Sequence, residues 1–114
     1  MDSIPYCTQA QVRAICDTDI EDDEITTLIE EIDAIMDLRL DTGSLGTHVN
    51  RLISRLWTAY RCMLKDPNAE ALGEWSGDRA VSLQLMKDEL DGYIMSASGG
   101  IAFKYGYADL RWTP

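Results

Sequence analysis

The feature that most constrains this chain is the spacing of aliphatic residues between positions 25 and 36. Ile25, Leu28, Ile29, Ile32, Ile35 and Met36 recur at three- and four-residue steps, which places them on one face of a helix that ends near Leu40. A stripe of this kind needs another apolar surface to cover it. Val49, Leu52, Ile53, Leu56, Tyr60, Met63 and Leu64 repeat the same spacing and predict a third helix from Thr47 to about Lys65. Asp66-Pro67 ends it, because a residue before proline is pushed out of the helical region. Between the two stripes, residues 41 to 46 carry the glycines and small polar residues that stop helices and turn chains.

The first helix is marked by a cap. Thr8-Gln9-Ala10-Gln11 has the form of a capping box, in which the threonine and glutamine side chains satisfy amides that a helix start leaves free. A short helix burying Val12 and Ile15 should follow. The acids between Asp17 and Glu24 suit the start of the second helix, where the macrodipole favours negative charge. Residues 66 to 78, with Pro67, Asn68, Gly73 and Gly77, read as an exposed loop with a helical turn through Ala69 to Leu72. Beyond Asp78 the pattern is mixed. Val81, Leu83 and Leu85 alternate as a strand would, but the longer series Leu83, Met86, Leu90 and Ile94 is helical and is given precedence.

Ser96 to Gly100 is linker-like, and after it the chain changes character. Ile101, Phe103, Tyr105 and Tyr107 alternate with Ala102, Lys104, Gly106 and Ala108, a period of two that predicts an extended strand with one apolar face. The expected fold is therefore mainly α, a small bundle of about four helices over residues 1 to 98, with an extended C-terminal arm or strand over 99 to 114. The 114 residues suit one such domain and a modest core.

Charge narrows the function classes. The net charge of −10 disfavours non-specific binding to a phosphate backbone. It is also unevenly placed. Eight carboxylates against Arg39 alone give residues 22 to 46 a charge of −7, whereas Arg51, Arg55, Arg61 and Lys65 with no acid give residues 47 to 65 a charge of +4. These are complementary faces of antiparallel neighbours. They can also bring the acidic face of one subunit, with Glu30, Asp33 and Asp37, against the basic face of the next, with Arg51, Arg55 and Arg61, and so steer subunits into a head-to-tail ring.

No catalytic constellation is found. His48 is the only histidine, so a triad or a histidine-rich metal site would lack partners. Asp17, Asp19 and Glu21 resemble the opening of a calcium loop, but Asp22 stands where its turn glycine belongs and Leu28 where its bidentate glutamate belongs. Gly99-Gly100 and the pair Gly43 and Gly46 lack the lysine of a phosphate loop. Cys7, Cys16 and Cys62 are odd in number and lack zinc-site spacing, and read as reduced, apolar thiols. No enzyme, metal or cofactor is expected. Nor is a membrane partner, since no stretch approaches the ~20 apolar residues of a span and residues 1 to 5 lack the features of a secretory signal.

An apolar strand after a small-residue linker would, alone, expose its aromatics to water. Either it folds back over its own helices, or it is a docking arm that adds to a partner's sheet and fills pockets with alternate side chains. Ile101, Phe103, Tyr105, Tyr107, Leu110, Arg111 and Trp112 would then be its anchors, aromatics and arginine being the residues that most often dominate interface energy.

Tyr6-Cys7-Thr8 followed by Val12-Arg13, then Asp17-Thr18-Asp19-Ile20 with Asp22-Asp23 and Ile25, then Leu28-Ile29-Glu30-Glu31 with Ala34-Ile35-Met36 and an aliphatic third helix, resembles the head-tail connector (adaptor) proteins of tailed bacteriophages and archaeal viruses. The likeness covers residues 6 to 65 best. It implies a structural virion protein of the neck, assembled in the host cytoplasm: a helical bundle forming a ring, usually twelve-fold, beneath the portal protein. The ring would link the DNA-filled capsid to a tail-side connector, tail terminator or tail tube protein. The resemblance implies that residues 101 to 114 grip the portal and that the 66 to 78 loop contacts the tail or the lumen. Genomic DNA would pass through without specific binding, repelled by an acidic wall.

Two other classes compete. A small helical regulatory or antitoxin-like protein, binding one partner through its tail, fits residues 1 to 96 equally and would be a monomer or dimer rather than a ring. A helix-turn-helix DNA binder using Arg51, Arg55, Arg61 and Lys65 fits less well, because its recognition helix would follow a loop with two glycines and a strongly acidic helix.

Overall fold

The computed structural model describes residues 4–97; the expected strand and its anchors, Ile101 to Trp112, lie outside them. The capping box forms as its sequence requires. Thr8 Oγ1 accepts from the Gln11 amide at 3.2 Å and Gln11 Oε1 accepts from the Thr8 amide at 2.9 Å, opening a one-and-a-half-turn helix, α1 (Gln9–Arg13). Val12 is buried within it and Ile15 just beyond.

Helix α2 (Asp22–Arg39) has Asp22, Asp23 and Glu24 in its first turn and Arg39 in its last, the arrangement that the helix dipole favours at each end. Its buried residues are Ile25, Leu28, Ile29, Ile32 and Met36. Residues 41 to 46, expected as a turn, contain a one-turn helix, α3 (Thr42–Leu45), stabilised by Ser44 Oγ on Asp41 Oδ2 at 2.8 Å. Gly46, at φ 86°, then reverses the chain, a conformation open to glycine and strained for other residues.

Helix α4 (Thr47–Lys65) runs antiparallel to α2. Glu24 at the start of α2 meets Lys65 at the end of α4 at 2.7 Å, Asp33 meets Ser54 near both midpoints, and Asn50 Nδ2 donates to the Thr42 carbonyl at 2.9 Å near the turn. α4 is the centre of the fold, in contact with α1, α2, α3, α5 (Arg79–Ala97) and the first strand. A single apolar stripe is accordingly too narrow a description of it. Trp57, Thr58, Ala59 and Cys62 are buried in addition to Ile53, Leu56, Tyr60 and Met63.

Residues 66 to 78 differ from the expected exposed loop. Glu70–Ala71 form a strand, β2, antiparallel to β1 (Cys16–Asp17), with Cys16 opposite Ala71. Leu72 N–H extends the pairing to the Ile15 carbonyl at 2.7 Å. Ala69 and Ala71 are buried, and the helical turn falls later, at Gly73–Trp75. The cause is non-local: the backbone of Ile15 and Cys16 needs a partner once buried, and no local period announces such a pairing.

Helix α5 confirms the helical reading of the mixed segment. Met86, Leu90 and Ile94 are buried against α4, while Val81 and Leu85, which would have shared a strand face with Leu83, are exposed. Asp78 starts the helix, its Oδ1 accepting from the Val81 amide at 3.1 Å. The architecture is thus mainly α, a small bundle of five helices with one two-stranded ribbon among the described residues.

Candidate interaction surfaces

The predicted charge residues separate into two groups. Asp33 and Asp37 serve the fold directly. Asp33 Oδ2 accepts from the Tyr6 amide at 2.8 Å and its Oδ1 accepts from Ser54 Oγ at 2.7 Å. Desolvation holds the Asp33 carboxyl above the usual carboxylate range, partly countered by those two hydrogen bonds. Because Ser54 has one proton and gives it to Asp33, the Cys7 thiol 3.2 Å away is the donor to Ser54 Oγ. Asp37 Oδ1 accepts from Tyr6 Oη at 2.5 Å and from Thr42 Oγ1 at 2.7 Å. Its bond to the phenol raises the Tyr6 pKa. The two aspartates therefore fasten the N-terminal segment and α3 to α2.

Glu30 remains exposed on the outer face of α2 with Asp23 and Glu31. It stands at the rim of a groove lined by Pro5, Thr8, Ala10, Thr26 and Ile29. On α4, Arg51 lies 2.8 Å from His48 Nδ1, a contact in which the guanidinium can only donate. Arg55 is half-buried, and Arg61 has its Nε buried without a hydrogen-bond partner among the described residues. Between α2 and α4 the one ion pair found among the described residues is Glu24–Lys65. The acidic and basic helices lie side by side with no second ion pair between them among the described residues.

The polar segment that resembles a calcium loop is occupied internally. Arg13 donates to the carbonyls of Thr18 at 3.0 Å and Ile20 at 2.7 Å and pairs with Asp22 at 2.7 Å. Asp66 accepts from Thr18 Oγ1 at 2.7 Å and from the Asp19 and Asn68 amides, which holds its pKa below the usual value. Among the described residues no three or more His, Cys, Asp or Glu side chains converge as metal ligands. The three cysteines are buried free thiols, and burial pushes Cys7 and Cys62 up to about 11 and Cys16 up to about 12. They are protonated at neutral pH, the opposite of what a nucleophilic thiolate requires. No helix among the described residues is long and apolar enough to cross a membrane.

A feature that no linear pattern announced lies at the far end of α5. Leu45, Val49, Leu52 and Ile53 of α3 and α4 face Tyr93 and Ala97 of α5 across a groove of about 290 Å³ with an almost wholly apolar lining. Its signal was split among three helices. Leu45 lies in a segment whose glycines predict a turn, Tyr93 lies off the Leu83, Met86, Leu90, Ile94 stripe and Ala97 follows its last residue.

The chain matches no protein-family model, curated protein or solved structure.

Proposed function

We propose that the protein is a head-tail connector: a structural protein of a tailed virus that forms a ring beneath the portal and links the filled capsid to the tail. The observation that carries this reading is that α2 and α4, opposite in charge, share one ion pair among the described residues. The acidic outer face of α2 and the arginines Arg51, Arg55 and Arg61 of α4 satisfy little of each other within one chain, Glu24–Lys65 apart. A heterologous, head-to-tail contact in a closed ring gives each face a partner of opposite sign.

The order of the chain supports the same reading. The helical bundle is followed by Ile101, Phe103, Tyr105, Tyr107, Leu110, Arg111 and Trp112, and in the proposal this segment is the arm that grips the portal. Exposed Glu30 contributes to subunit contacts or to a wall that repels passing DNA. Asp33 and Asp37 fasten Tyr6 to α2 beside that face.

The test is electron microscopy of the intact chain mixed with a candidate portal. A ring of connector density beneath the portal, with the portal's symmetry, is the expected result. Portal particles without added density, at saturating connector, would overturn the proposal.

A further inference from the structure

The apolar groove between α3, α4 and α5 is built where the chain leaves the bundle. Ser96 and Ala97, the last two residues of α5, belong to its lining. The next three residues are Ser98, Gly99 and Gly100, and the first apolar residues after them are Ile101 and Phe103. Three residues, hence four Cα–Cα steps, separate Ala97 from Ile101, a reach of at most about 14 Å. Glycine at two successive positions lets the chain reverse direction there at no steric cost.

We propose that the groove is a docking site for the chain's own segment 101–107, with Ile101 and Phe103 seated between Val49, Leu52 and Tyr93. Three observations select this occupant over others. The groove opens at the point of exit, so a tether of three residues holds the segment at an effective concentration in the millimolar range, which a separate partner seldom reaches. The lining is apolar apart from Ser96 and the edge of Tyr93, whose hydroxyl is already engaged by Glu89. It therefore suits side chains such as Ile and Phe and offers nothing to a charged ligand. The sequence of 101–107 also alternates apolar with small or polar residues, which an extended segment would place on opposite sides, as occupation of one groove demands.

The docking stands on the groove and the sequence alone. Its consequence rests on the connector reading: the arm that grips the portal is held against its own bundle until the portal competes for it, so free subunits do not expose an aromatic strand to one another.

The test is chymotrypsin cleavage after Phe103, Tyr105 and Tyr107 in the full chain. It compares the wild type with Val49→Asp, which places a charge in the groove, and with Ile101→Ser, which weakens the segment without touching the bundle. The intact protein is expected to resist cleavage independently of its concentration, and both variants to be cleaved at Tyr105 and Tyr107 about tenfold faster or more, the ratio that losing one apolar anchor gives. Helical circular dichroism should be unchanged.

Equal cleavage of wild type and Ile101→Ser would overturn the proposal even if Val49→Asp fails to fold. Protection that appears only at high concentration would assign the groove to a second copy and overturn it as well. Association of Ile101→Ser with portal is read separately. Faster binding than wild type supports the restraint, whereas portal binding by neither protein removes the connector reading and leaves the docking to be judged by the cleavage result.

Discussion

Ser54 Oγ, fully buried on α4, lies 2.7 Å from Asp33 Oδ1 on α2, so a core hydroxyl supports a carboxylate that also holds the Tyr6 amide. Replacing Ser54 by alanine removes that donor and leaves a desolvated acceptor. Ser54→Ala should lower unfolding free energy by about 1–3 kcal/mol in urea titration.

The pH dependence of that variant has a definite sign. Asp33 has a raised folded pKa, so its contribution to stability is fully present below its unfolded value and is lost as pH rises through the folded one. The Ser54 bond favours the charged form and offsets part of this loss. Thermal melts should therefore show Ser54→Ala costing more at neutral pH than where Asp33 is protonated.

Asp66 behaves in the opposite sense. Its pKa is lowered by Thr18 and by the Asn68 and Asp19 amides, so its contribution is present above the unfolded value and is lost as pH falls through the folded one. Melts of wild type and Asp66→Ala across the acid range should converge at the lowest pH and separate as Asp66 ionises.

Arg79 caps one helix from the start of another. Its guanidinium donates to the Met63 carbonyl and, at 3.2 Å and 3.5 Å, to those of Asp66 and Pro67, serving acceptors that the end of α4 leaves open. Arg79→Ala should cost about 1–3 kcal/mol. Arg79→Lys should recover only part of it, because an ammonium lacks the planar fork. Chemical denaturation of the two variants checks both statements.

Burial separates two large apolar residues. Met86 on α5 is 0% exposed and Leu38 on α2 is 86% exposed. Met86→Ala should lose about 2–5 kcal/mol of stability, while Leu38→Ala should stay within about 0.5 kcal/mol, as measured on the same denaturation axis.

Much of the bundle could be read from residue spacing because its helices are long and amphipathic. The bounds of α4, the acids that open α2 and the cap on α1 all follow from local rules, and the series Leu83, Met86, Leu90, Ile94 decided rightly between helix and strand. What escaped was non-local. The Cys16–Ala71 pairing joins two short segments that carry no period, and the burial of Trp57 and Ala59 depends on α4 being surrounded rather than half-covered. Asp33 was legible as an acid on α2, but its engagement with Ser54 and Tyr6 depends on how three separate segments converge. The groove at Val49 and Tyr93 likewise exists only once α3, α4 and α5 are assembled. The arm anchors from Ile101 to Trp112 lie outside the described residues.

The connector proposal is tested most directly by the light-scattering mass of the intact chain and of a chain ending at Ser98, each alone and mixed with candidate portal. A large complex that forms with the intact chain and is lost without residues 99 to 114 is the predicted result. If both chains remain monomers or dimers and leave the portal's mass unchanged, the account is contradicted and a small regulatory helical protein becomes the better description.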